Sequence, residues 1–203
     1  MSARDYRKQK RAEAQEQTRA RILKATMELH DEQGVGPTTL LQVAERAGIG
    51  AATIYRYFPT VGSLVSACAG HVWQDMRPPT AESAVATFAG IKGRSARLER
   101  LVAELDDFYG RTSYRLILAA RDKEQVPELE VFLKAIGAGI EALVRTALEP
   151  ENLSEATIAV VVALCHVSNW VRLNAVPMPP AELPSLKVRL LSSAIGASVP
   201  RNG

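Results

Sequence analysis

Thr38 to Phe58, TTLLQVAERAGIGAATIYRYF, sets two short helical patterns on either side of a glycine-marked turn. Leu40, Val43, Ala44 and Ala47 recur at i, i+3, i+4 and i+7, one face of an amphipathic helix. Thr39, with Gln42 three residues on, has the form of a capping box at its start. The helix is expected to stop at Gly48, because a residue without Cβ takes the positive φ that closes a helix at little cost. Ile49 then acts as a buried plug, and Gly50 can serve as N-cap for a second helix from Ala51. Ile54 and Phe58, four apart, face inward on it.

What the second helix leaves outside is Ala51, Ala52, Thr53, Tyr55, Arg56 and Tyr57: small side chains first, then hydroxyls and a cation. Small residues let a helix lie close to a groove. Two helices joined by a tight Gly-containing turn form a helix-turn-helix, whose second helix presents its N-terminal residues to base edges. The stretch resembles the N-terminal domain of TetR-type transcriptional regulators. That family's Thr-Thr start, Ala-x-x-Ala-Gly-[Val/Ile]-Ser turn and Thr-[Leu/Ile]-Tyr-x-[His/Tyr]-Phe helix correspond to Thr38-Thr39, to Ala44-Glu45-Arg46-Ala47-Gly48-Ile49-Gly50 and to Thr53-Ile54-Tyr55-Arg56-Tyr57-Phe58.

The resemblance implies an all-α protein: a three-helix DNA-binding domain followed by a helical ligand-binding and dimerisation domain. Thr53 and Tyr55 would read bases, Ala51 and Ala52 would permit close approach, and Thr39, Arg56 and Tyr57 would meet phosphates. Two positions depart from the family pattern. Gly50 lacks the usual hydroxyl, and Thr60-Val61-Gly62 stands where the family shows Ser-Lys-[Glu/Asp], so Val61 cannot make the phosphate contact of that lysine.

The charge distribution agrees with a nucleic-acid partner. The net charge is +3, and all of the excess lies before Ser63, where ten Lys and Arg face seven Asp and Glu. Neutralising phosphates needs cations on the domain that meets them. The two cysteines, Cys68 and Cys165, sit in apolar surroundings and form no disulfide framework, and the N-terminus is charged rather than signal-like. No apolar run approaches the roughly 20 residues that span a bilayer. A cytoplasmic protein is the expectation.

Along the chain, residues 1–17 are polar and basic without a sustained apolar face, which predicts a mobile arm, either a solvated tail or one that touches phosphates or a minor groove; Arg4, Arg7, Lys8, Lys10 and Arg11 stand near its front. Residues 18–62 form the helix-turn-helix domain, whose first helix carries Ile22, Ala25, Thr26 and Leu29 on one stripe. His30 is read as a hydrogen-bonded core or boundary histidine rather than a ligand or switch. Residues 63–203 form the second domain, joined through a helix from Ser63 to Asp75 that Arg77-Pro78-Pro79 ends. Leu98 to Tyr109, Tyr114 to Arg121 and Pro127 to Leu148 give further helical segments. Gly137 and Gly139 in the last of these mark either close packing or room for something else.

Ser154 to Asn174 reads as one helix, apolar nearly all round, and Leu183 to Ile195 marks a last one. The resemblance implies a homodimer through the helices at 154–174 and 183–196, which suits a palindromic operator with half-sites about 34 Å apart. It also implies a small-molecule effector. Trp73, Phe108, Tyr109, Tyr114 and Trp170, with Arg111, Arg115, Arg121 and Asn169 as polar anchors, are the candidates to line its pocket. His30, His71 and His166 lack metal-ligand spacing, and no phosphate loop, nucleophile elbow or carboxylate pair stands out. No cofactor, no metal and no enzyme activity are expected.

Overall fold

The structure, a computed structural model, describes residues 3–196. Residues 1–2 and 197–203 of the expected first and last domains lie outside the described residues. Among the described residues there are ten α-helices and no strand, as the helical periodicities predict.

The chain divides into two compact units. The first comprises Met1–Gln74 together with Leu118–Val131, and the second comprises Asp75–Ile117 and Phe132–Gly203. The boundary expected at residue 62 therefore falls later, and a distant segment packs with the N-terminal helices.

The first unit is built on α1 (Ala3–Gln33), α2 (Leu40–Arg46), α3 (Ala51–Tyr57) and α4 (Val61–Met76). Residues 3–17, expected as a mobile arm, are helical and continuous with the rest of α1. The absence of an apolar face removes packing but does not remove helicity. No Gly or Pro occurs before Gly34, and Ala, Arg, Lys, Gln and Glu are all strong helix formers. Side-chain bonds one turn apart add to this, as from Gln9 Nε2 to Glu13 at 3.0 Å. Further along, Ile22, Ala25 and Leu29 of α1 meet Val43, Ala44, Ile54, Phe58, Leu64 and Cys68 in one buried cluster, with Ile49 partly buried against it.

The segment from the end of α6 (Arg94–Asp122) to the start of α7 (Glu128–Leu148) clasps the loop after α1. Buried Asp122 accepts from the Gly36 N–H at 2.9 Å and from Arg121 Nε at 2.7 Å, while Arg121 Nη2 donates to the Gln33 carbonyl at 3.1 Å. Burial pushes the Asp122 carboxyl up, but the Arg121 bond and the Gly36 and Val35 N–H groups outweigh it and hold it below the usual carboxylate range. A side chain at Gly34, Gly36 or Gly62 would run into Arg121, Asp122, Gln125 or Glu128.

The second unit contains α5 (Ala81–Phe88), most of α6 and α7, a 3-10 turn over Glu149–Glu151, α8 (Glu155–Leu164), α9 (Val167–Asn174) and α10 (Leu183–Gly196). Two sequence expectations change here. Leu98–Tyr109 and Tyr114–Arg121 belong to one 29-residue helix, since the single Gly110 does not break it. The helix expected over 154–174 is instead two, bent by 50° at Cys165–His166. His166 takes extended backbone angles and caps α9, its Nδ1 accepting from Ser168 N at 3.3 Å. Around that break, the Tyr109 hydroxyl donates to the Cys165 carbonyl at 2.8 Å and Asn169 Nδ2 donates to the Ala163 carbonyl at 2.8 Å. Freed backbone acceptors are thereby satisfied.

Gly139 resolves to close packing: a methyl there would overlap the Pro79 carbonyl oxygen. Arg97 of α6 is buried against backbone carbonyls. It donates to the Ala147 carbonyl at 2.9 Å, Ile91 at 3.0 Å, Phe88 at 3.3 Å and also to Thr146. Such a cation gathers the unpaired carbonyls at the ends of α5 and α7, where the helix dipoles favour positive charge.

Candidate nucleic-acid interface

The turn between α2 and α3 has the geometry its sequence asks for. Thr39 accepts from Gln42 N at 3.2 Å while its own N–H donates to Gln42 Oε1 at 2.9 Å, a reciprocal capping box. Gly48 follows at φ +64. Gly50 is extended and caps α3 without a side-chain bond. Ile54 and Phe58 are buried, which fixes the rotation of α3 about its axis.

That rotation leaves Ala51, Ala52, Tyr55 and Arg56 exposed, with Thr53 and Tyr57 half-buried at the edge. The seven expected interface residues are thus brought to the two short helices and their turn. Arg56 lies 5.7 Å from the centre of the Tyr57 ring. The Tyr57 hydroxyl donates to the Gln15 carbonyl of α1 at 3.3 Å, and Arg19 stands over the Phe58 ring at 5.5 Å, so α1 is tied to the end of α3. Arg46, at the end of α2, is held by Glu32 at 2.8 Å and by Glu28 at 3.6 Å, so this cation is committed within the protein. His30 is a boundary residue, but the hydrogen bond expected of it is missing at one ring nitrogen. Its Nε2 is buried without a hydrogen-bond partner, and burial pushes the imidazole down to about 4.

Residues 22–68 match the family described as bacterial regulatory proteins, tetR family. An HTH-type transcriptional regulator of Mycobacterium tuberculosis is 27% identical over 190 residues, covering 91% of this chain and 95% of its own. The HTH-type transcriptional repressor KstR of the same organism is 37% identical over 75 residues, 37% of this chain and 34% of its own. Among solved structures, a TetR transcription regulator from Haloarcula marismortui shares the fold at TM-score 0.56 and 15% identity, over 90% of this chain and 98% of its own. GusR of Salmonella enterica does so at TM-score 0.53 and 16% identity, over 88% and 95%. The N-terminal domain is that of the TetR family of bacterial regulatory proteins.

Unlike the residues gathered on α2, α3 and their turn, those expected to line an effector pocket are spread over several elements. Trp73 and Arg121 belong to the first unit and the other seven to the second. Phe108, Tyr109 and Trp170 are buried and packed in sequence, with ring centres 5.4 Å and 6.2 Å apart. Tyr114 is exposed. Arg111 pairs with Asp107 at 2.8 Å and donates to the Met76 carbonyl at 3.1 Å, and Arg115 pairs with Asp75. Arg121 is spent on the clasp around Gly36 described above.

Asn169 and Trp170 do line a groove of about 380 Å³, together with Leu164, Leu173, Lys187 and Leu190. Sequence reading missed the residue beneath it. Lys187 is fully buried, bonded to Asp106, to Asn174 Oδ1 at 2.6 Å, and set 4.5 Å from the Trp170 ring. The Trp170 N–H donates to the same Asp106 at 2.8 Å. Burial raises both thiols, Cys68 to about 11 and Cys165 to about 12, so neither is a reactive thiolate.

Proposed function

We propose that this chain is a homodimeric TetR-family repressor that holds a palindromic operator and is released from it by a small-molecule effector. The observation that carries the DNA half is the outward face of α3. Ala51, Ala52, Tyr55 and Arg56 are exposed together on a helix whose inner face is pinned by Ile54 and Phe58. Tyr55 and Thr53 read base edges. Thr39 exchanges Gln42 Oε1, which accepts from both its N–H and its hydroxyl, for a phosphate oxygen. Tyr57 makes the same exchange with the Gln15 carbonyl, a long and exposed bond.

Dimerisation is supported by α8 and α10, which pack on one another and still expose Val160 and Leu190. Because of the bend at Cys165–His166, α9 does not continue the face of α8, so the pairing surface is α8 with α10. An amphipathic effector fits the groove over Trp170, with Arg172 at its edge. A second reading, a dimeric DNA-binding protein without effector, is favoured by Phe108, Tyr109 and Trp170 being packed against one another with the Tyr109 hydroxyl and the Trp170 N–H already bonded. A thermal-shift screen of amphipathic metabolites decides between them.

For the DNA half, bound sites selected from random duplexes give a probe, and anisotropy titrations on that probe and a scrambled one give the test. Tyr55→Ala lowers the ratio of the two affinities by about tenfold or more, the scale of a base contact. Tyr57→Phe weakens both alike. Unchanged affinity in both variants overturns the assignment of α3.

A further inference from the structure

We infer that the N-terminal half of α1 is a second DNA-contact surface, a helical cationic rail that grips the duplex backbone beside the region read by α3. This rests on the DNA-binding reading above. Eighteen residues make five complete turns of an α-helix, so residues eighteen apart point the same way. Arg4, Arg7, Lys8 and Arg11 each stand eighteen residues before Ile22, Ala25, Thr26 and Leu29. Those four later residues are the buried stripe that α1 lays on the helix-turn-helix. One face of one continuous helix is therefore apolar where α2 and α3 cover it and cationic where it runs beyond them. All four cations are exposed, and the changeover falls at Gln15, the residue whose carbonyl receives the Tyr57 hydroxyl at the end of α3.

Exposed cations are common, but a solvated helix has no reason to sort them by face. Here four cations share the stripe with a single acid, Asp5, which stands eighteen residues before the buried Leu23. Glu13 and Glu16 lie off the stripe, and Lys10 falls five turns before the exposed Glu28 rather than before a buried residue. The stripe spans about 10 Å, the seven-residue rise from Arg4 to Arg11, which is enough to meet two to four phosphates of a duplex carrying one per about 3.4 Å of each strand. Polyanionic backbone is the partner this spacing fits, and it holds position without reading sequence. The contact also offsets the missing lysine at Val61.

The test uses the full chain and a fluorescein-labelled 30-base-pair duplex of mixed sequence, titrated at several salt concentrations between 50 and 200 mM. Each phosphate contact contributes about 0.9 to the slope of log affinity against log salt. The variant R4Q/R7Q/K8Q/R11Q is expected to lower that slope by about 2 to 4. Glutamine keeps helix propensity, and circular dichroism checks that α1 is intact. The adjacent pair Lys8→Gln and Lys10→Gln separates a rail from bulk charge: K8Q lowers the slope by about 1 and K10Q leaves it unchanged. An unchanged slope in the quadruple variant, or equal effects of K8Q and K10Q, overturns the rail while DNA binding stands. A wild-type chain with no salt-dependent affinity for either this duplex or a selected site overturns both.

Discussion

The two units place their polar groups in opposite ways. In the first, polar side chains on α3 and along the front of α1 stand outward over an apolar cluster, and Asp122 in the clasp around Gly36 is its buried charge. In the second, the costliest polar groups are turned inward and satisfied there: Lys187 by Asp106 and Asn174, Trp170 by Asp106, Tyr109 by the Cys165 carbonyl, and Arg97 by backbone carbonyls. A surface that meets a polyanion keeps its donors exposed, whereas a scaffold that must hold one shape buries them against its own acceptors.

The strongest way to break that comparison is at Asp106. Asp106→Ala leaves an ammonium that is 1% exposed without its carboxylate, and breaking a buried pair in this sense costs about 3–5 kcal/mol. Lys187→Met is far milder, because the Asp106 side chain is 30% exposed and keeps the Trp170 N–H. Urea unfolding at one fixed protein concentration measures both, fixed because a dimer's stability depends on it. Equal losses in the two variants would show that the pair does not hold the second unit together.

His30 of the first unit differs from these satisfied groups: its Nε2 is buried with no hydrogen-bond partner. Burial holds its imidazole near 4, against an ordinary value of 6.5, with Asp31 and Asp122 pulling the other way. The unfolded chain therefore binds a proton that the folded chain refuses between pH 6.5 and 4. Stability falls as pH drops through that window, by up to about 3 kcal/mol at its lower end. In His30→Phe this part of the pH dependence is absent, so stability measured from pH 7 to pH 4 falls less steeply than in the wild type. Parallel profiles would mean that the histidine takes its proton in both states.

Legibility in the sequence follows the same division. Thr39, Gln42, Gly48, Gly50, Ile54 and Phe58 lie within twenty residues and act on one another locally, so cap, turn and inner face could all be read in order. The Trp170–Asp106 and Lys187–Asp106 bonds join residues 64 and 81 positions apart, and no local pattern announces them. Of the aromatics taken as pocket walls, Phe108, Tyr109 and Trp170 pack on one another, and Trp170 also lines the groove. The break after Leu164 was hidden because histidine is not a usual cap and the apolar run continues through it. The helix at residues 3–17 was hidden for a different reason: periodicity of apolar residues reports burial, and an exposed charged helix has none.

Glycine gives the finest form of the contrast, since the first unit uses one for an angle and the second uses one for space. Gly48 sits at φ +64 with nothing near the position a Cβ would take. Gly139 has ordinary helical angles, and its missing Cβ makes room for the Pro79 carbonyl. Gly139→Ala should cost about 1–3 kcal/mol, because the obstacle is backbone and cannot swing aside. Gly48→Ala should cost about 1–2 kcal/mol from left-handed strain alone. Asparagine separates the two causes. It tolerates the left-handed region, so Gly48→Asn recovers most of the stability lost in Gly48→Ala. At 139 the larger side chain meets the same carbonyl, and Gly139→Asn is no better than Gly139→Ala. Thermal unfolding of the four variants reads the result, and rescue by asparagine at 139 would mean that α7 can shift away from Pro79.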